Sequence, residues 1–119
     1  MHPRMARKVC ELVAGLTDTD DERDPSETTL LRRIMTRLGL SAHGDSRLIP
    51  TLKGAEAARA MAELPEDVRY EALELLIEAA IVDGKVVPAE HRYLAEVARA
   101  LGMPEQQIEQ RVADRLRLG

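Results

Sequence analysis

Aromatic residues and cysteine are scarce in this sequence of 119 residues, which has no tryptophan, no phenylalanine, two tyrosines and one cysteine. Without such stacking side chains, the chain has few platforms on which single-stranded nucleic acids bind. A single cysteine excludes an internal disulfide. Because Cys10 lies within an apolar helical stripe, we interpret it as a small buried hydrophobic residue rather than as a reactive thiol.

An excess of basic charge is also missing, since 17 lysines and arginines stand against 21 acidic residues for a net charge of −4. Nucleic-acid binding requires a basic face, so this balance argues against that class. No run approaches the ~18 uncharged residues of a membrane-spanning helix, and the basic N-terminus has no apolar signal core. We therefore expect a cytoplasmic protein that binds no nucleic acid and does not insert into a membrane.

Apolar residues at helical spacing are what the sequence has in quantity, while the β-branched and aromatic runs typical of strands are missing. The pattern predicts helices over approximately residues 5–16, 25–38, 52–64, 66–82, 88–101 and 104–116. The fourth of these is apolar around most of its C-terminal half, which predicts the central and most buried helix. The length is that of one domain. We predict a single all-α domain over residues 1–119.

One pattern occurs twice in the chain. The stretch PSETTLLRRIMTRLGL (Pro25–Leu40) aligns with PAEHRYLAEVARALGM (Pro88–Met103) at a constant offset of 63. The matched positions carry the same or a similar residue: Pro25 and Pro88, Glu27 and Glu90, Leu31 and Leu94, Ile34 and Val97, Leu38 and Leu101, Gly39 and Gly102. We predict a compact bundle of about six helices built from two pseudo-repeated helix-corner-helix halves, about 1–64 and 65–119.

Each corner contains residues that suit the start of a helix. In the first corner, Asp24 can act as the N-cap, a proline follows at the first helical position, and Glu27 can reach back to form a capping box. The second corner keeps the proline and Glu90, but Val87 has no side-chain acceptor, and Val86 is expected to fill the corner.

The stretch AAIVDGKVVPAEHRYLAEVARALGM (Ala79–Met103) resembles the signature of the TerB-like domain of tellurite-resistance proteins. A related domain occurs in a membrane-anchored DnaJ-like co-chaperone. The resemblance extends over about Ala72–Leu116. It is carried by an Asp-Gly pair at a helix end, an apolar residue, a glutamate that opens the next helix and a Leu-Gly pair that closes it: Asp83, Gly84, Val86, Glu90, Leu101 and Gly102. The first half lacks the Asp-Gly pair.

This resemblance implies a compact helical bundle of two similar halves and a link to stress and tellurite-resistance systems. The sequence shows no Gly-rich phosphate loop and no nucleophile with a nearby base. We predict a non-enzymatic module that acts through contacts with an unidentified protein partner. One alternative is a module that binds or responds to a divalent cation. A further alternative is a small enzyme with a pocket between the halves.

The cation alternative rests on acidic residues at the two corners, with Ca²⁺ or Mg²⁺ as the candidate ion, because hard cations prefer oxygen ligands. The candidate ligands are Asp18, Asp20, Glu22, Asp24, Glu27, Asp83 and Glu90. A helix-loop-helix calcium loop that starts at Asp18 fails at its two constraining positions, since Arg23 replaces the glycine and Thr29 replaces the bidentate glutamate. The competing interpretation is a solvated loop with helix caps. In the resembled family, acidic surfaces have been suggested to bind ions, which slightly favours the cation alternative.

Several positions are expected to form the surface. Glu66, Asp67, Arg69, Glu71 and Glu74 fall on solvated positions of the fourth helix. Tyr93 is expected on the outer or flanking side of the fifth helix, where it can pack against or hydrogen-bond to a partner. The apolar loop Leu48–Leu52 is expected to plug the gap between the halves or to line a partner groove.

Overall fold

Six α-helices make up most of the structure. The computed structural model describes residues 3–17, 25–39, 52, 54–82 and 86–118. The helices are α1 (Pro3–Thr17), α2 (Pro25–Arg37), α3 (Ala55–Glu63), α4 (Glu66–Ala80), α5 (Pro88–Arg99) and α6 (Glu105–Leu118), and these residues contain no strand. The predicted all-α fold is confirmed, and each helix boundary lies within about three residues of its predicted position.

The centre of the bundle is the pair α1 and α4, which make the most extensive contact between helices in the described residues. The apolar C-terminal half of α4 is buried, as its all-round pattern predicts. The sequence did not single out α1, yet it packs against α2, α3 and α5 as well as α4. Its stripe of Val9, Leu12, Val13 and Leu16 is completely buried.

The remaining helices differ in how they contact this central pair. Both α2 and α5 pack against α1 and α4. The last helix of each predicted half packs against α5, since α3 contacts α5 and α1 and α6 contacts α5. The Cα radius of gyration is 13.0 Å, which is close to the value expected of a compact chain of this length.

The ends of α2 and α5 have similar geometry at aligned positions. Gly39 and Gly102 adopt φ angles of 83° and 67°, in the left-handed region that glycine enters without a steric penalty. After α5, the amide of Met103 donates to the carbonyl of Ala98 at 3.1 Å, which is the closure of a Schellman motif. These features agree with the sequence alignment. The duplication of whole halves stays a prediction.

The turn between α3 and α4 is held by Arg69. Its Nε donates to the carbonyl of Leu64 at 2.6 Å, and a terminal guanidinium nitrogen donates to the carbonyl of Ala62 at 3.1 Å. These carbonyls lie at the end of α3, where no further helical turn supplies a donor. The expectation that Arg69 is merely solvated is therefore wrong, because its guanidinium caps the preceding helix.

Candidate functional site

The second corner is closed by Glu90, the one predicted metal-ligating residue whose side chain lies in the described part of the chain. Its Oε1 accepts a hydrogen bond of 3.1 Å from the amide of Val87, and the residue is only 3% exposed. Because Val87 offers no side-chain acceptor, only this half of a capping box forms. Val86 is partly buried and packs against the core, as predicted.

The other predicted metal ligands fall outside what the structure describes. Asp18, Asp20, Glu22, Asp24 and Asp83 lie outside the described residues, and Glu27 is in α2 with a side chain that is also outside them. Within the described ranges, no three histidine, cysteine, aspartate or glutamate side chains converge so that they could hold a metal ion. The one candidate in view, Glu90, has the geometry of a helix cap. A Ca²⁺ or Mg²⁺ site at the corners stays a prediction.

Tyr93 forms a junction of hydrogen bonds between elements that are distant in the sequence. Its hydroxyl lies 2.6 Å from the carbonyl oxygen of Leu52 and 2.9 Å from that of Leu12. The hydroxyl donates one hydrogen and shares it between the two acceptors. Tyr93 is 5% exposed, so the expectation of an outward-facing tyrosine is wrong. Burial, and to a smaller extent the Glu96 carboxylate, raise the pKa of the Tyr93 hydroxyl above its usual value.

Leu52 links this junction to the first helix. Its amide donates to the carbonyl of Glu11 at 3.4 Å, while its own carbonyl accepts from Tyr93. Its side chain is partly buried and packs against the core, which agrees with the predicted plug for this residue. Residues 48–51 of the predicted plug lie outside the described residues. Leu52 is therefore held between α1 and α5 through hydrogen bonds of its own backbone amide and carbonyl.

Gly15 provides the space for the Leu52 carbonyl group. A Cβ built on Gly15 would lie 2.6 Å from the Tyr93 hydroxyl oxygen and 3.0 Å from the Leu52 carbonyl carbon, and closer still to the Leu52 carbonyl oxygen. Side-chain carbons do not approach polar atoms so closely. The sequence contained a signal for this, because a glycine in a helical pattern weakens the helix and often marks a close backbone approach.

Cys10 is 1% exposed and belongs to the hydrophobic core. The interpretation of this residue as a buried hydrophobic side chain is confirmed. Burial, with a smaller contribution from neighbouring Glu11, raises the pKa of its thiol to about 11. Since the thiolate is the nucleophilic form, the thiol is unreactive at neutral pH.

Two arginines of α6 bind one glutamate of α4 on the surface. Arg111 and Arg115 place terminal nitrogens 2.7 Å and 2.8 Å from the two carboxylate oxygens of Glu74. Cations near the C-terminal end of a helix interact favourably with the helix dipole. The structure adds that they connect α6 to the central helix. The side chains are 38–48% exposed, so the network contributes modestly to stability.

The family model described as "Tellurite resistance protein TerB" matches residues 51–113, which is more than half of the chain. The chain belongs to the TerB family. No curated protein and no solved structure gives a significant match to it. The matched range begins earlier than the resemblance seen in the sequence, which started at about Ala72.

The TerB match includes one side of the Tyr93 junction and leaves out the other. Leu52 and Tyr93 lie within the matched range, as do the second corner and most of α6. Leu12 and Gly15 lie in α1, before the match begins. In this TerB-family chain, no helix within the described residues is both long enough and apolar enough to cross a membrane.

Proposed function

We infer that this TerB-family chain is a non-enzymatic helical module that acts in the cytoplasm through protein–protein contacts, in a bacterial stress-response or tellurite-resistance system. The link to tellurite resistance is supported by the description of the matching family. The role in contacts is supported by the structural roles of the buried ionisable side chains.

These structural roles are the observation on which the proposal rests. The Tyr93 hydroxyl binds two backbone carbonyls, the Cys10 thiol is packed in the core, and Glu90 caps α5. Groups whose pKa values are perturbed often mark catalytic sites, but Tyr93 and Cys10 have raised pKa values while serving structural roles. The exposed surface, rather than an internal pocket, is then the part of the molecule suited to function.

Site-specific photocrosslinking in the native cell tests the contact role. A photoreactive residue is introduced at exposed positions of different helices, for example at Thr36 on α2, Tyr70 on α4 and Ala113 on α6. We expect a discrete adduct from one surface and none from the others. A complete absence of discrete adducts at every position, with and without tellurite in the medium, would contradict the proposal.

The tellurite link has a separate test. A strain that lacks this chain should be more sensitive to potassium tellurite, and expression of the intact chain should restore growth. Unchanged growth of the deletion strain would remove the tellurite link and leave the contact role to be decided by the crosslinking experiment.

A further inference from the structure

The outer side of α2 is a continuous face of arginine and threonine. At 100° per residue, five residues fall side by side on an arc of about 140°, and all five are exposed: Thr29, Arg32, Arg33, Thr36 and Arg37. We call these five residues the arginine face. The opposite side of the helix carries the buried residues Leu30, Leu31, Ile34 and Met35. All five residues of the face line one shallow, open depression of the surface.

The charges on this face have few partners in the described part of the chain. Arg37 lies 3.8 Å from a carboxylate oxygen of Glu78, and the Arg37 side chain is still 58% exposed. Neither Arg32 nor Arg33 makes an ion pair with a described residue. Arg33 and Arg37 are four residues apart on one helix, where like charges repel each other. A bound anion would relieve this repulsion.

The aligned positions of α5 have a different character. At the offset of 63 they are Arg92, Ala95, Glu96, Arg99 and Ala100, with both signs of charge and two alanines. Three of them are partly buried, and α5 packs against α3 and α6 in addition to α1 and α4. The principal packing partners of α2 are α1 and α4. The side of α2 that aligns with this partly buried side of α5 is therefore exposed to solvent.

We propose that the arginine face is a docking surface for an acidic segment of a partner protein. This inference rests on the proposed contact function and specifies its surface. Guanidinium groups bind carboxylates with two parallel hydrogen bonds, which favours aspartate and glutamate side chains as the complementary groups.

The extent of the face favours a short protein segment over a long polyanion. From Thr29 to Arg37 the helix rises about 12 Å, which matches a few turns of an acidic helix or a short extended peptide. The whole chain, with the three arginines of the face included, carries a net charge of −4. The rest of the chain is therefore acidic, and it includes the exposed acids Glu66, Asp67 and Glu71 on the neighbouring α4. A nucleic acid or an anionic membrane extends past a strip of this size and meets that negative charge.

Binding of a defined peptide to the full chain tests the proposal. The probe is a fluorescein-labelled helical peptide of twelve residues with glutamates at every fourth position, and its control has glutamine in their place. By fluorescence anisotropy at low salt, Arg32→Gln together with Arg33→Gln should weaken binding of the glutamate peptide about tenfold. Arg92→Gln with Arg99→Gln removes the same charge from exposed positions of α5 and should change the affinity less than about twofold. Both variants should keep the melting temperature, because all four side chains are exposed.

Charge reversal provides a second readout. Arg32→Glu with Arg33→Glu should abolish binding of the glutamate peptide and create binding of the corresponding lysine peptide. The proposal is overturned if the α5 control loses as much affinity as the α2 variant, or if the glutamine peptide binds as well as the glutamate peptide. It is also overturned if a twelve-nucleotide single-stranded DNA or anionic phosphatidylserine vesicles bind more tightly than the peptide and depend on the same arginines.

The photocrosslinking experiment separates failure of this surface from failure of the contact function. If crosslinked partners persist unchanged in the Arg32→Gln, Arg33→Gln chain, the arginine face is not the docking surface and the contact function stands. If the adducts at Thr36 disappear in this variant and persist in the α5 control, both inferences are supported. If no surface gives an adduct, the contact function fails, and the arginine face has no partner to dock.

Discussion

Gly15→Ala is expected to destabilise the protein although alanine is the better helix former. In the last turn of α1, the added methyl group would meet the Tyr93 hydroxyl oxygen at 2.6 Å and the Leu52 carbonyl group at a still shorter distance. The Leu52 carbonyl would have to retreat by about 1.5 Å to reach ordinary van der Waals distance. That movement separates the Leu52 carbonyl from the Tyr93 hydroxyl, which donates to it at 2.6 Å.

Opposing contributions set the size of the effect. Replacement of glycine by alanine in a helix interior stabilises by about 1 kcal/mol. Loss of a buried hydrogen bond to Leu52 costs about 1–1.5 kcal/mol, and crowding in a packed interior costs about 1–3 kcal/mol. We expect a net decrease of about 2 kcal/mol in the free energy of unfolding, or roughly 8 °C in Tm for a domain of this size.

Thermal and denaturant unfolding followed by circular dichroism measure this change, with Ala113→Gly as the control. Ala113 is exposed in the middle of α6, so its change to glycine should report the helix preference alone, about 1 kcal/mol of destabilisation. In the Tyr93→Phe background, Gly15→Ala should be less destabilising, because one of the crowded atoms, the Tyr93 hydroxyl oxygen, is gone. A Gly15→Ala chain that is more stable than the wild type would refute the close approach of Leu52 to α1.

Three further changes follow from the same structure. Tyr93→Phe removes the hydroxyl that binds Leu12 and Leu52 and should lower stability by about 1–2 kcal/mol at neutral pH. Since the folded pKa of Tyr93 is raised, the stabilisation is complete below about pH 10 and declines above it, so the difference between the two chains should shrink in alkaline denaturation experiments. The pKa of Cys10 is also raised, so its contribution to stability should fall by up to about 1.4 kcal/mol per pH unit between about pH 9 and pH 11. Cys10→Ala should remove this contribution to the pH dependence. Rapid labelling of Cys10 by a thiol reagent in the folded chain would contradict its burial. Glu74→Gln breaks both ion pairs with α6 and should cost about 0.5–1 kcal/mol at low ionic strength and less in about 1 M NaCl; a loss of equal size in Glu71→Gln, on the same exposed side of α4, would show that the ion pairs are not responsible.

The helices could be predicted from the sequence because their signals are local. Apolar spacing, the prolines that open α2 and α5, and the glycines that close them all act within a few residues. Each of these local features is present in the structure, including the left-handed Gly39 and Gly102. The backward reach of Glu90 to the amide of Val87 is likewise a contact across three residues.

Contacts between distant residues were mispredicted or missed. In the helical pattern of α5, Tyr93 falls on a flank of the helix. Its hydroxyl is bound by the carbonyls of Leu52 and Leu12, which are 41 and 81 residues away in the sequence. Arg69 was taken as solvated because its neighbours on α4 are solvated, yet the end of α3 turns its carbonyls toward it. The position of a residue along a helix determines the direction in which its side chain points. Whether that side chain is buried depends on which other elements of the fold pack against it.

The family match covers only some of the helices that pack against one another. The match begins at residue 51, yet α4 makes its most extensive described contact with α1, which precedes it. Leu52 and Tyr93 are matched residues, and their hydrogen bonds end on the backbone of α1. Removal of α1 would expose the buried side of α4 and leave the Tyr93 hydroxyl without the Leu12 carbonyl. Because burial of apolar surface is the dominant favourable contribution to folding, we expect the matched residues 51–113 to need α1 in order to fold stably.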